Sequence, residues 1–486
     1  MNQFLEAMDV KENEVFTENG AKTNKSTKCY CLDLFAIGSS ARNLNQLDVE
    51  RLIINAYNEN PKKCMKILFH IRDIREGSGE REFFKKAMNI LIQYGKHESI
   101  NKNIEHIPFF GRWDDLYTFS ETGLWEKVIS MFREQLEADL YGMTIGSPIS
   151  LLGKWLKSEN ASSKETIRLA KLTYKDLGYT SKEYRKTLSK LRKYIDIVET
   201  HISKKKYNNI DYSKVPSRAL YKYRNAFKTN DNKRYDDFLN KANDGDVNIN
   251  TTNIYPHELV RKYLNYYESN IDKSVETMWN NLPDFTGSNS KNAICVCDVS
   301  GSMSMNGGIP LEVSIALGIY FSERNNGDFK NRFITFSEKP SIVKITGKTL
   351  LDKVRMMNYA DWGYSTNISA TFDLILKLGI DNEIPQKDMP EILYIISDME
   401  FNKADSGNTN FENIKEKYKK SGYEMPTLVF WNVNARQIQH PTVMNDKAIL
   451  VSGFSPSVFN TVVCGLSAIE YMDSVVESER YSLISV

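Results

Sequence analysis

Hydrophobic positions fall into two textures along the chain. Up to about residue 282 they recur at helical spacing. Leu52, Ile53, Ala56 and Tyr57 share one face, Pro61 opens a segment carrying Met65, Leu68 and Phe69, and Gly77-Ser78-Gly79 interrupts the pattern. Phe83, Phe84, Ala87, Met88, Leu91 and Ile92 then form a double row. A stripe that wide suits a helix packed on other helices. The same spacing predicts helices over 124–140, 167–177 and 181–203, whereas the Asn/Asp/Gly-rich stretch 225–255 predicts loop with a short helix over 235–242. Helix follows helix without a strict repeat, which predicts a helical-repeat solenoid whose neighbouring pairs bury a continuous core. Residues 1–28 are polar and weakly periodic and predict a flexible leader.

The Pro/Gly/Ser/Asn-rich stretch 283–292 reads as a linker. Beyond it, short apolar runs at 293–297, 332–337, 342–345, 391–398, 427–433 and 448–451 predict strands. Patterns at 311–324, 349–357, 368–378, 411–421 and 455–464 predict the helices between them. Repeated βα units imply a parallel, doubly wound sheet with helices on both faces. The expected organisation is therefore multidomain: a leader (1–28), an α-helical-repeat domain (29–285) and an α/β domain (286–486).

Composition adds little to this until charge is mapped. A chain of 486 residues with 41% hydrophobic and 26% charged residues is ordinary globular material, too long for one core. No apolar run approaches a membrane span, and MNQFLEAMDVKENE lacks a secretory pattern. The six cysteines show no zinc spacing, and a reducing, cytoplasmic setting is expected for them. Net charge is only +2, yet residues 154–241 hold 23 Lys/Arg against 10 Asp/Glu. Such asymmetry points to a polyanionic partner for the basic part, against the plain alternative of a solvated, salt-bridged helical face. The candidate contacts are Arg185, Lys186, Arg192 and Lys193 on one helix, Lys204, Lys205 and Lys206 at its end, and Arg218, Lys222 and Arg224 in VPSRALYKYR, where basic and aromatic residues interleave. Guanidinium planes and Tyr rings stack unpaired bases, and Lys/Arg neutralise phosphate. Tyr-rich helices also pack their rings into cores, and Arg112-Trp113 at a helix turn is read as core on the same ground.

The candidate chemistry sits where the first strand of the second half ends. AICVC runs directly into Asp298-Val299-Ser300-Gly301-Ser302. Small oxygen-bearing residues at the carboxyl end of a parallel strand occupy the ligand position of an open α/β sheet. One carboxylate and two hydroxyls offer only oxygen, which selects a hard divalent cation, Mg²⁺ with Mn²⁺ tolerated. On its own the segment is equally a Ser/Gly turn. Tyr364-Ser365-Thr366-Asn367 precedes a helical pattern, however, and Ile392–Met399 is a second buried strand that reaches Asp398. No Ser/His/Asp order, P-loop or His-rich cluster is present, and nothing supplies an evident general base, so a non-catalytic protein is expected.

Taken together, Asp298, Ser300, Ser302, Thr366 and Asp398 resemble the metal-ion-dependent adhesion site of von Willebrand factor A domains. The whole chain resembles the TROVE/von Willebrand factor A architecture of the Ro autoantigen family. From about Phe109 to Gly465 it is more similar to a related family of uncharacterised eukaryotic and viral proteins, through FFGRWDDL, LLGKWLKSENASS, VPSRALYKYRNAF, YPHELV, DVSGSM, STN, ISDMEF and VFWN. The resemblance implies a ring or horseshoe of HEAT-like helical repeats with an A domain attached. It implies RNA, single-stranded or structured, non-coding or misfolded, held by the repeats as in a ribonucleoprotein, and a bound Mg²⁺ (or Mn²⁺) that docks a carboxylate of a protein partner. The alternative is a protein-binding scaffold with metal-dependent docking and no RNA.

Overall fold

A computed structural model describes residue 8 and residues 11–264, 270–287, 292–360, 366–403 and 409–486. The first half is helical, as its periodicity requires, and local caps fix the helix starts. Asn60 accepts a hydrogen bond from the Lys63 amide while Pro61 occupies the first turn of the Pro61–Arg72 helix. Thr180 and Glu183 form a capping box at the start of Ser181–Tyr194. The Glu82–Gln93 helix buries Phe83, Phe84, Ala87, Met88, Ile90 and Leu91 against Gln46–Glu59 and Pro61–Arg72. The stretch expected to be mostly loop is more helical than its Asn/Asp content implied: Ser217–Asn230 and Asn232–Asn243 pack on one another. Tyr212, Phe227, Tyr235 and Phe238 supply the shared aromatic core.

FFGRWDDL is a structural knot. Asp115 accepts from the Arg72 guanidinium at 2.6 and 2.8 Å and from Arg81 at 2.6 Å, and the Arg72 and Asp115 side chains are 2% and 0% exposed. A Cβ on Gly111 would stand 2.4 Å from that carboxylate, so only glycine lets the chain pass. Removing one partner of a buried pair strands the other charge without compensation, at a cost of about 3–5 kcal/mol. Asp115→Ala should lower the unfolding free energy measured in urea by that much; an unchanged midpoint would show that the pair is dispensable.

The second half is built on a six-stranded sheet in the order β5-β4-β3-β6-β7-β8. Its strands are β3 (Ala293–Cys297), β4 (Arg332–Thr335), β5 (Ile342–Lys344), β6 (Ile392–Ser397), β7 (Thr427–Asn432) and β8 (Ala448–Ser452). Every pairing is parallel except β4–β5, which is antiparallel, so the edge is a short hairpin rather than a further βα unit. β3 and β6 are buried along their whole length, which explains their uninterrupted apolar runs. All six cysteines are free thiols, and Cys295 and Cys297 lie buried within β3. The expected helix over 455–464 shrinks to one turn, Val458–Thr461. Among the described residues no helix is long and apolar enough to cross a membrane.

The two halves are closed on each other at both ends of the helical arc. At its far end Arg261 grips Glu312 with contacts of 2.6–2.8 Å. At its near end the Tyr30–Ile37 helix packs on β8, and the Ala468–Val476 helix lies beside both. The tail beyond 467 straps back over the first helices through Lys63–Asp473 (2.7 Å), Arg480–Asp73 and the Ser485 amide on Asn103 (3.0 Å). The flexible leader does not survive in residues 13–27. Two short strands, β1 (Glu14–Phe16) and β2 (Lys22–Asn24), pair antiparallel, and Ala21, Thr23 and Thr27 are buried. Backbone bridges Gly20–Asn402 and Asn24–His440 bind this hairpin to the α/β half. The polar residues that looked like solvated linker are hydrogen-bonded there instead.

His257, in the Pro256–Val260 helix, stacks on Tyr255 and meets Phe454 edge-on, joining the halves. Burial, with Arg261, Arg42 and Arg218 nearby, pushes its pKa down to about 3. The native ring stays neutral while the unfolded ring takes up a proton near pH 6.5, so stability is lost as pH falls below that value, by about 1.4 kcal/mol per unit for one proton. His257→Phe should reduce the slope between about pH 6 and 4 by that amount in chemical denaturation, leaving the share of the buried His70. An unaltered slope would mean that the ring titrates freely in the native state.

Candidate functional site

Parallel pairing of β3 with β6 brings their carboxyl ends side by side, and the Asp298 amide donates to the Ile396 carbonyl at 3.0 Å. Asp298 and Asp398 thus leave adjacent strands at one edge. Asp298 Oδ1 accepts from the Ser300 amide (2.8 Å) and Oδ2 from the Ser397 hydroxyl (2.6 Å). Ser300 and Ser302 hydroxyls lie 3.1 Å apart. Asp398 Oδ1 accepts from the Glu400 amide at 3.2 Å, whereas its Oδ2 is buried with no hydrogen-bond partner among the described residues, although the Ser302 hydroxyl is near enough to lower the Asp398 pKa against burial. Thr366, at the entrance to the Ile368–Asp381 helix, donates to the Glu400 carbonyl (2.7 Å). Met399, between the two acids, holds a left-handed backbone at φ 67°, a conformation that a non-glycine residue adopts only where the surroundings enforce it. Asp298, Ser300, Ser302 and Asp398 thus share the carboxyl edge of β3 and β6, and Thr366 is tied to the backbone two residues beyond Asp398; Ser302 is half-buried and the other four are buried. Tyr364 and Ser365 lie outside the described residues.

Burial, and secondarily the Asp398 charge, raises the pKa of Asp298; burial likewise raises that of Asp398. Arg436 is the cation that acts on Asp398, and its guanidinium is engaged 2.6 Å from Glu18. Two buried carboxylates with an orphaned oxygen and hydroxyls around them fit a hard cation. Among the described residues no group of three His, Cys, Asp or Glu side chains has metal-ligating geometry, so this donor set is two carboxylates plus hydroxyls. Several neighbours escaped the sequence reading. Ser397 orients Asp298, and Glu400, fully buried, accepts from the Glu18 amide (2.7 Å) and Gln439 (2.9 Å). Glu400 stands two positions after Asp398 in ISDMEF, the spacing that had singled out Ser300 after Asp298.

The second feature is a cavity of about 730 Å³ between the helical arc and the α/β half. Its cations are Arg72, Arg75, Arg81, Arg112, Lys154, Arg218 and Lys222, against one carboxylate among the described residues, Glu199. Trp113, Trp155 and Tyr255 add aromatic faces. Arg72 and Arg81 are spent on Asp115, and Arg112 lies over the Trp155 ring at 4.4 Å. Lys154 and Lys222 rest against Trp155 and Tyr223, with no ion pair to either among the described residues, and Arg218 reaches Glu258 only at 3.5 Å. Trp113, read as core, is half-buried and serves both roles: it packs on Phe132 and lines the cavity.

Of the basic residues singled out in the sequence, Arg218 and Lys222 line this cavity and the rest do not. Arg192 is a structural clamp, donating to the Gly153 and Leu156 carbonyls and the Ser158 hydroxyl at 2.7–2.9 Å. Arg224 is held by Asp272 at 2.8 Å and lies over Tyr221. Arg185, Lys186, Lys193, Lys204, Lys205 and Lys206 are exposed residues outside it. A charge count cannot separate a guanidinium consumed by carbonyls from one left for a ligand.

Among solved structures the chain is similar to the crystal structure of the Deinococcus radiodurans RO (RSR) protein, at 12% identity over 90% of this chain and 99% of that one, with a TM-score of 0.37. So loose a likeness says nothing about what this chain binds. It is 33% identical over 489 aligned positions to the uncharacterised protein L728 of Acanthamoeba polyphaga mimivirus, covering 92% of this chain and 84% of that protein. Residues 292–480 match the family model of a domain of unknown function, DUF7788. Residues 17–107 and 114–285, more than half of the sequence, match that of another, DUF2828. On that matched length, and on its identity to the viral relative, the chain belongs to the DUF2828 family of domains of unknown function.

Proposed function

We propose that this protein is a non-catalytic RNA-binding protein that holds a single-stranded RNA end in the basic cavity, and that its α/β half carries a von Willebrand A-type site for Mg²⁺ or Mn²⁺. The observation that carries the first part is the cavity itself: Lys154, Arg218 and Lys222 without strong acid partners, beside Trp113, Trp155 and Tyr255. Lysine and arginine neutralise phosphate while the rings stack bases, without demanding a sequence. A space of this size encloses a few groups of a ligand, as small-molecule pockets do, and admits a strand end rather than a duplex. The residues that would hold the ion are Asp298 and Asp398, with Ser300, Ser302 and Thr366 completing the shell directly or through water. A bound cation would supply charge compensation for the two acids and an open position for a carboxylate.

The test is a filter-binding titration of the purified protein with a structured RNA bearing a single-stranded 3′ tail, across several salt concentrations and with duplex DNA as competitor. Tail-dependent, salt-sensitive binding is expected. Absence of binding at low salt would remove RNA and leave the metal-docking scaffold.

A further inference from the structure

The hairpin of β1 and β2 ends in a turn that sits on the candidate metal site. Thr17 donates to the Phe401 carbonyl (2.7 Å), the Glu18 amide to the Glu400 carboxylate (2.7 Å), and the Asn19 amide group to the Glu400 carbonyl (2.7 Å) and the Thr366 hydroxyl (3.1 Å). Gly20, at φ +80°, turns the chain back into its bridge with Asn402. The tip therefore touches a candidate ligand directly and covers the loop after β6 that carries another. Glu18 itself is half-exposed, 2.6 Å from Arg436, and both charges act on Asp398. Nothing in hairpin pairing requires a carboxylate at this turn, and its backbone contacts are complete without one.

We infer that the carboxylate which fills the open position of the metal site is the chain's own Glu18, so that the N-terminal hairpin is the built-in occupant of that site. This rests on the metal reading above. Arg436 plays the cation's part when no ion is bound: it neutralises Glu18. With an ion in place Glu18 has a stronger counter-charge, and Asn19 stays as the clip on Thr366. An external carboxylate reaches the site only by lifting the hairpin, which makes the hairpin a competitor of any protein partner.

Two partners of one ion pair should then respond with opposite signs, which a purely structural salt bridge would not do. Mn²⁺ binding to the full chain is followed by electron paramagnetic resonance, with hydrogen exchange of residues 14–24 recorded with and without the ion. Glu18→Gln should weaken Mn²⁺ binding about tenfold, the lower end of what a supporting group near a metal contributes. Arg436→Gln should leave binding equal or tighter, because it removes the competing cation. Mn²⁺ should slow hairpin exchange in the wild type and not in Glu18→Gln. Unchanged affinity in Glu18→Gln, with the hairpin equally protected with and without Mn²⁺, would overturn the inference and leave the metal site standing. Loss of Mn²⁺ binding in Asp298→Ala shows that the site is where it is placed; no Mn²⁺ binding by the wild type would overturn both.

Discussion

Replacing Lys154, Arg218 and Lys222 together with glutamate should reduce tail-dependent RNA binding by at least about a hundredfold at moderate salt, and should flatten its salt dependence. Each phosphate neutralised contributes roughly 0.7 to the slope of log affinity against log salt for a single strand, so three lost contacts should lower the slope by about two. The affinity falls further because reversed charges repel the strand within a confined cavity, where water screens poorly. Arg72, Arg81 and Arg112 are left alone in this variant, since the first two hold Asp115 and the third lies against Trp155. The control is Lys204→Glu, Lys205→Glu and Lys206→Glu combined. It carries the same charge change on exposed residues outside the cavity, where water and salt screen it more strongly. Equal losses in the two triple variants would mean that RNA follows overall charge and not the cavity.

Asp398→Asn should invert its rank against the wild type when Mg²⁺ is added. Without divalent ions the wild type keeps two buried acids together, with Asp398 Oδ2 unsatisfied, and Asp398→Asn relieves that repulsion and raises the melting temperature. With Mg²⁺ at about a hundred times its dissociation constant the wild type gains about 2.7 kcal/mol and Asp398→Asn gains little. Asp298→Ala should lose the same Mg²⁺ response. It also strands the Ser397 hydroxyl that Asp298 accepts from, so its ion-free stability should not rise. Melting curves in chelator and in Mg²⁺ decide the matter, and a rank that stays the same in both would count against an ion at this site.

The strand core and the carboxyl-edge site were legible because both are local. AICVC and ILYIIS are apolar runs whose ends necessarily deliver Asp298 and Asp398 to one edge once the strands pair in parallel. What stayed hidden was long-range. The two strands of the leader are three residues each, in a polar context, and the bonding partners of their hairpin lie 384 and 417 positions away, at 401 and 440. Gly20 at positive φ is the one local hint of a turn. The cavity was half-legible: VPSRALYKYR supplied Arg218 and Lys222, but Arg75 comes from a turn and Lys154 and Trp155 from another helix, and they meet only by tertiary closure. Arg192 shows the converse, a basic residue whose spacing looks available and whose three guanidinium nitrogens each donate to a carbonyl or hydroxyl oxygen.

The packing of the Tyr30–Ile37 helix against β8 has a consequence for biosynthesis. The Ser452 hydroxyl donates to the Phe35 carbonyl across 417 positions of sequence. At about 5–20 residues per second, the first helix waits on the order of 20–80 seconds for its sheet to leave the ribosome. Cys31, Leu32, Leu34, Phe35 and Ile37, all buried in the finished protein, have no β8 to cover them during that interval. Nascent chains stalled before residue 448 should be the species that chaperones hold.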